Sequence, residues 1–393
     1  MTRGSVNIES DTRHLIALAA TCGRLTEEIQ WEKGALSRNP GLEGRRVAFL
    51  MPAGTFSAGI AGLLDQAQAL RDLGVDAWIV RVGLLRPQPE AVSSAFQLPE
   101  LWARSARDVQ TKLADVGILF DAVVAVGVDM LGALPLATGP ICGCYLPADS
   151  SAEPAVVGSE QRALLRRPTS GRLRLLAQIG GTAESLAKQL AVPSGVVGAS
   201  IDTAVFRPAP AMDVGNRAPR ISVLLGRDLE GAGLSLWQPP VNLRSRLRLP
   251  MQVDAVLAAD LSLALKDLAA TESLTDLSPQ HLSMRLRRSD IFLDLSDSPA
   301  GELVTLAAMA CGCAVVISRT GPEFARHEDN ALVVAHTDQD TPMAAVERLA
   351  ADHVLCDRLR RQAALDAAAR PHRRAALALA SFLFDGDLEA RPH

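Results

Sequence analysis

The sequence predicts an α/β protein with two parallel-sheet domains, and three observations lead to that expectation. Strand-like and helix-like runs alternate twice along the chain, from Arg46 to about Leu190 and again from Arg220 to a helix beginning near Pro342. A strand, a helix and a second strand in succession require a crossover, which implies parallel pairing. A chain of 393 residues is long for one hydrophobic core, and its hydrophobic content of 48% is enough to fill two.

The elements follow in order. From about Asp11 to Leu36, Leu15, Leu18, Cys22, Leu25, Ile29 and Leu36 recur at three- and four-residue spacings, with Glu32 interrupting the seam. This is a short heptad pattern for a leader helix, which either docks on the chain's own domain or pairs with a partner helix. Pro40 to Gly44 ends it. Arg46 to Met51 reads as a strand, Pro52 to Gly59 as a small-residue loop, and Leu63 to Leu73 as an amphipathic helix capped by Gly74. Ala77 to Val82 completes a βαβ unit, and Phe120 to Val126 is another β-branched run. Ala177 to Leu190 passes from strand to helix, with Thr182 as N-cap. Phe206-Arg-Pro-Ala-Pro210 is a proline-punctuated linker, after which Arg220 to Arg227 opens the second alternation.

The most informative stretch runs from Asp290 to Ser318. It reads as a buried strand, a Gly-containing loop, a helix entered at about Leu303, and a second buried strand. The loop leaving a parallel strand's carboxyl end is where α/β proteins bind ligands, because helix N-terminal amides there face anions. A strand, Ala331 to Ala335, and a last apolar helix, about Arg373 to Phe384, close the chain.

Composition narrows the function. A net charge of −4 provides no broad basic field, and aromatics at 4% with one tyrosine provide few stacking platforms, so nucleic acid is not an expected partner. The first ten residues lack the apolar run of a secretory signal. The uncharged stretches Ala48 to Leu64 and Met130 to Ala148 are shorter than the ~20 residues of a spanning helix and contain Gly and Pro, so they read as buried strand plus loop. The pairs Cys142-Gly-Cys144 and Cys311-Gly-Cys313 could supply four zinc ligands, but packing as small buried thiols is the expected outcome, in a reducing, cytoplasmic compartment. Neither a metal nor a cofactor is expected. No Gly-x-Gly-x-x-Gly follows the first strand, since Gly54 and Gly59 have the wrong spacing for a dinucleotide site, and Asp294, Asp297 and Glu302 form no clear pair for glycoside hydrolysis.

Five segments in order carry a family resemblance: Val197 to Pro208, Val223 to Arg227, Leu277 to Leu293, Ala308 to Val316 and Thr320 to Val333. Together they resemble the GT-B glycosyltransferases, specifically glycosyltransferase family 4 and its rhamnosyltransferase-like relatives. The resemblance implies two Rossmann-like domains facing a cleft. They would be preceded by an N-terminal helix and linker (1–44) and divided into an acceptor-side domain (45–205) and a nucleotide-sugar domain (206–370). A C-terminal helix (371–393) would cross back to the first domain. It implies a nucleotide-sugar as co-substrate and a glycan or a lipid- or protein-linked acceptor. The enzyme would retain anomeric configuration without a metal, in surface-glycan synthesis, in the cytoplasm or at the inner membrane face.

Carried over residue by residue, the resemblance places Arg227, beside Gly226, on the diphosphate, where a planar guanidinium fork suits two phosphates. Ser298, Gly301 and the amides of Leu303 and Val304 would complete the donor site. Glu302 either grips a sugar hydroxyl or simply favours the positive end of the helix dipole. The first domain would contribute the cleft loop through Gly54, Thr55, Ser57 and Gly59, with Asp129 beyond the strand ending at Val126. Three positions depart from the family: Ala232 stands for its lysine, and Pro299 and Ala307 for its two carboxylates. No histidine lies between residues 45 and 205, where the family often places one. A degenerate scaffold or glycan-binding subunit is therefore the alternative, with the leader helix pairing with itself or with a glycosyltransferase partner. If Arg227 carries the diphosphate, Arg227→Ala will cost far more turnover than Arg246→Ala in a sugar-transfer assay, and equal rates would remove the assigned role.

Overall fold

The computed structural model describes residues 41–53, 58–84, 98–115, 117, 119–134, 141–148, 173–180, 194–209, 219–225, 252–257, 271–273, 278–294, 301–317, 322–334 and 340–384. The leader helix lies outside them. The described residues form two sheets in sequence. The first contains β1 (Arg46–Pro52), α1 (Ala58–Asp72), β2 (Asp76–Val82), β3 (Glu100–Ala103), α2 (Ala106–Asp115) and β4 (Ala122–Val126). A 3-10 turn (Val128–Ala133), β5 (Ile141–Leu146), β6 (Leu173–Ala177) and β7 (Ser194–Val196) follow. The second contains β8 (Arg220–Leu225), β9 (Gln252–Leu257), β10 (Thr271–Ser273), α3 (Pro279–Leu286), β11 (Ile291–Asp294), α4 (Gly301–Ala310), β12 (Ala314–Ile317) and β13 (Leu332–Val333). Three helices end the chain: α5 (Asp340–Ala351), α6 (His353–Ala368) and α7 (His372–Phe384).

Both sheets are parallel throughout, in the orders β3-β2-β1-β4-β5-β6-β7 and β10-β9-β8-β11-β12-β13. The sequence explains this. Ala122 to Val126 and Ile291 to Asp294 are buried along their whole length, so both faces need cover and only crossover helices supply it. Val47, Phe49 and Met51 point to one face, under α1 and α7, while Ala48 and Leu50 point to the other, with Val109 of α2. The second sheet is divided alike. Leu224, Phe292 and Val315 share a core with α4 and α6, while Val223, Leu293 and Val316 share one with α5 and the start of α6. In each sheet the order reverses once, between β1 and β4 and between β8 and β11.

Gly74 ends α1 as expected. Its φ of 100° is open to glycine, and its amide and that of Val75 bond the carbonyls of Arg71 and Leu70 at 2.9 and 3.0 Å. Two boundaries move: α1 begins at Ala58 rather than Leu63, and α4 at Gly301 rather than about Leu303. Ala and Gly in these first turns lack the apolar periodicity that signals a helix from sequence.

Helix α7 returns to the first sheet and packs on α1. Ala375, Ala376, Leu379, Ala380 and Leu383 enter the same core as Leu63, Leu70 and Phe49. Phe382 covers Gly195 of β7 so closely that a Cβ there would meet its ring at 2.4 Å. Arg174 of β6 donates to the Phe382 carbonyl. Leu379→Ala will therefore cost about 2–5 kcal/mol in a urea titration, the range for a fully buried leucine. Val354→Ala, at a position 81% exposed, will cost under about 0.5 kcal/mol.

Candidate donor site and cleft

The carboxyl edge of the second sheet carries the residues of interest. Parallel pairing sets Asp294 opposite Leu224, so β8 and β11 end together although 70 residues separate these positions. Beyond β8 lie Gly226 and Arg227, and beyond β11 lie Ser298 and Pro299; all four fall outside the described residues, as do Ala232, Gly54, Thr55 and Ser57. Chain continuity alone makes β8 and β11 the strands that lead to Arg227 and to the loop. These two strands flank the point where sheet order reverses, the crevice position in open α/β sheets.

Helix α4 begins at that edge. Gly301 is buried, Glu302 and Leu303 are half-buried, and Val304 is buried. The helix starts at Gly301, so its first turn, from Gly301 to Val304, is the end whose dipole favours an anion. Glu302 occupies the first turn, where a carboxylate is favoured by the helix dipole. Ala307 is 2% exposed inside the core, so nothing at that position reaches a ligand.

One buried pair braces this edge. Thr305 Oγ1 donates to Asp294 Oδ2 at 2.7 Å, and both residues are fully buried. The bond ties the last residue of β11 to the second turn of α4. Sequence inspection missed it because an Asp ending a strand and a Thr within a helix carry no joint signal.

On the first sheet, Gly59 is buried in the first turn of α1, and Asp129 is exposed on the 3-10 turn after β4. Gly127, at φ 84°, makes that turn possible. The two carboxyl edges meet at one side. Glu323, after β12, places Oε2 3.5 Å from where a Cβ on Gly180 would stand, and Gly180 follows β6. Arg370 lies 3.9 Å from the same carboxylate and stacks over Phe324. Ala148 and Ile179, beyond β5 and β6, belong to the apolar cluster that contains Val304 and Phe324. Glu323 sits in a segment quoted for the family resemblance, but its reach across to the first sheet had no local sequence signature.

The two C-x-C pairs separate. Cys142 and Cys144 lie on β5 in a core of the first sheet, and Cys311 and Cys313 in a core of the second. Burial pushes the Cys144 thiol up to about 12 and Cys311 up to about 11, so neither is a ready thiolate. Among the described residues no helix is long and apolar enough to cross a membrane.

Comparison with known proteins agrees with this geometry. Residues 256–352, which include β11, α4 and β12, match the family described as Glycosyl transferases group 1. A glycosyltransferase from Rickettsia africae ESF-5 superposes with a TM-score of 0.67 at 12% identity, covering 87% of this chain and 99% of that one. Sucrose-phosphate synthase from Thermosynechococcus elongatus gives 0.63 at 14%, covering 86% and 98%. Anabaena Alr3699/HepE, crystallised with UDP and glucose, gives 0.63 at 15%, covering 87% and 100%. The fold is GT-B. No curated protein matches the sequence.

Within this GT-B framework the Asp294–Thr305 bond has a measurable weight. Thr305→Val will remove a donor from a buried carboxylate and lower stability by about 1–3 kcal/mol in thermal or chemical unfolding. An unchanged midpoint would show that the bond braces nothing.

Proposed function

We propose that the protein is a glycosyltransferase, moving a sugar from a nucleotide-sugar to a glycan or to a lipid- or protein-linked acceptor. The observation that carries this reading is the family match over residues 256–352, laid on the helix N-terminus at the reversal point of the second sheet. Resemblance to a fold crystallised with UDP and glucose supports a uridine or related nucleotide donor.

In the proposed site, the N-terminal end of α4 holds the diphosphate, Arg227 neutralises the charge that develops as the glycosidic bond breaks, and Glu302 contacts a sugar hydroxyl. Preorganised donors aimed at a leaving group act without solvent rearrangement, which makes amides and one guanidinium a workable minimum. Gly226 and Ser298 line the donor side, and the 54–59 loop with Asp129 lines the acceptor side. The proposed division is a leader (1–44), an acceptor lobe (45–205), a donor lobe (206–370) and a returning helix (371–393). Transfer would retain anomeric configuration and need no metal or other cofactor. Surface-polysaccharide synthesis in the cytoplasm or peripherally at the membrane's inner face is the setting this reading favours, with residues 1–44 as the place for pairing with a second copy or a glycosyltransferase partner.

A second reading rests on a specific observation. Ala307 is sealed in the core, and Pro299 and Ala232 cannot supply charge-assisted bonds worth about 1.5–3 kcal/mol each. A chain so depleted would bind glycan as a non-catalytic subunit beside an active glycosyltransferase.

Calorimetry and a sugar-transfer assay separate the two. The enzyme reading predicts micromolar to millimolar affinity for a UDP, dTDP or GDP sugar, with Glu302→Gln lowering turnover or raising KM. No binding to any nucleotide-sugar, together with co-purification of an active glycosyltransferase, would establish the subunit reading instead.

A further inference from the structure

The chain passes between the lobes twice, and the two passages lie side by side. Ile201 pairs with Pro371, and its amide donates to the Arg370 carbonyl at 2.9 Å. Beyond Ile201 the chain belongs to the second lobe. Ser283 Oγ and the Arg287 guanidinium donate to the Val205 carbonyl at 2.7 and 2.6 Å, and Arg287 Nε to that of Arg207 at 2.8 Å. The return passage leaves α6, whose Ala367 sits in the second lobe's core, and enters α7, whose Ala375 sits in the first. The stretches that join the lobes are therefore short: Asp202 to Ala204 on one strand and Ala369 to Pro371 on the other.

His372 fastens these strands to the first lobe with both ring nitrogens. Nδ1 lies 2.9 Å from Ser200 Oγ, and Nε2 lies 3.3 Å from Asp65 Oδ2 on α1. Tyr145 O–H donates to Gln66 Oε1 at 3.1 Å, and Gln66 Nε2 donates to Ser200 Oγ at 3.1 Å. Ser200 Oγ keeps its own proton and a second lone pair, so it can meet Nδ1 in either tautomer, and the protonation of Asp65 sets which ring nitrogen carries the hydrogen. The trio has the composition of a nucleophilic triad but not its layout. Ser200 is 7% exposed, its oxygen already accepts from Gln66, and it binds the wrong nitrogen for that chemistry.

We propose that Asp65 and His372 form a proton-operated pin at the hinge between the lobes: with Asp65 protonated, its O–H and the neutral ring fasten α1 to the crossing strands, and loss of that proton leaves a buried carboxylate whose hydration reorders the hydrogen-bond chain and lets the passage rotate. Charged neighbours do not quench the pair. Asp202, from the crossing segment, is the charge that bears on both groups. Arg370 is engaged by Glu323 and Phe324, Arg374 donates to the Ala369 carbonyl, and β5 contributes Tyr145 through Gln66.

Burial, followed by the negative charge of Asp202, raises the Asp65 carboxyl from 3.8 to about 7, while burial lowers His372 from 6.5 to about 4 against the pull of Asp202. The folded pair thus holds one proton between about pH 4 and 7 and none above. Asp65, raised on folding, disfavours the fold once ionised, a penalty that grows as pH climbs from 3.8 to about 7. His372, lowered on folding, contributes stability above 6.5 that is lost as pH falls towards 4. The two slopes oppose each other, so overall stability reports the titration poorly, whereas ring tautomer and lobe geometry report it well.

The test is energy transfer between dyes on Leu119→Cys and Val354→Cys, exposed positions on the first and second lobes, in a Cys22→Ser background of the full chain. Transfer efficiency should change with a midpoint near pH 7 and lose that midpoint in Asp65→Asn and in His372→Gln. Efficiency constant from about pH 5.5 to about 8.5, or a midpoint surviving both substitutions, would overturn the proposal. Should the variants fail to fold, nitrogen NMR of His372 in the parent chain decides: a change of ring tautomer with a midpoint near pH 7 supports the pin, and a ring unchanged from about pH 5.5 to about 8.5 excludes it. Nucleotide binding is a separate readout, so the hinge proposal and the donor-site reading succeed or fail independently.

Discussion

Parallel strand pairing is the constraint on which this molecule depends. It obliges every strand-to-helix connection to leave from one edge of its sheet, and so gathers segments far apart in sequence at one place. Leu224 and Asp294 stand opposite each other only because β8 and β11 run in the same direction. From that single fact follow the joint ending of β8 and β11 and the start of α4 beyond them, at the point where the sheet order reverses. Two such sheets in one chain, each with helices on both faces, leave the carboxyl edges as the surfaces available for a shared ligand.

The join between the sheets is narrow and specific. Two strands of chain cross together at Ile201 and Pro371, apolar residues beyond β5 and β6 share a core with Phe324, and α7 is carried back onto α1. The same small region contains a buried carboxylate, a buried imidazole and a directed hydrogen-bond chain reaching Tyr145. A polar network of that kind is costly unless every member is satisfied, and here each donor in the chain finds an acceptor. Its position is at the crossing, where α1 of the first sheet meets the strands that join the lobes.

Much of the architecture was legible because local and long-range preferences agree. The runs Arg46 to Met51, Phe120 to Val126 and Asp290 to Leu293 are β-branched or apolar and bounded by Gly, Asp or polar residues, and each became a central strand. Edges were harder. Glu100-Leu-Trp-Ala103 of β3 is short with a charged first residue, and β9 follows an Arg- and Pro-rich stretch; sheet pairing rather than intrinsic preference makes them strands. Helix α6 begins at Asp352, whose side chain accepts from the Leu355 amide, a cap signal readable from sequence but weakened by the charged residues that follow. At the site, β11, α4 and β12 were visible from their apolar runs and the glycine signals between them. The Asp294–Thr305 bond, the reach of Glu323 to Gly180 and the arrival of His372 on α1 were not, because each joins residues whose proximity only the folded topology creates. The absence of histidine from residues 45–205 gave no hint that the returning helix would bring one to that lobe.

The central claim is that a nucleoside diphosphate lies at the reversal point of the second sheet, on the first amides of α4 and on Arg227. A crystal of the full chain soaked with UDP tests it most directly. The account predicts pyrophosphate density beyond the ends of β8 and β11, within hydrogen-bonding distance of first-turn amides of α4 and of the Arg227 guanidinium. Density at any other place, or Arg227 directed away from an occupied crevice, would contradict it.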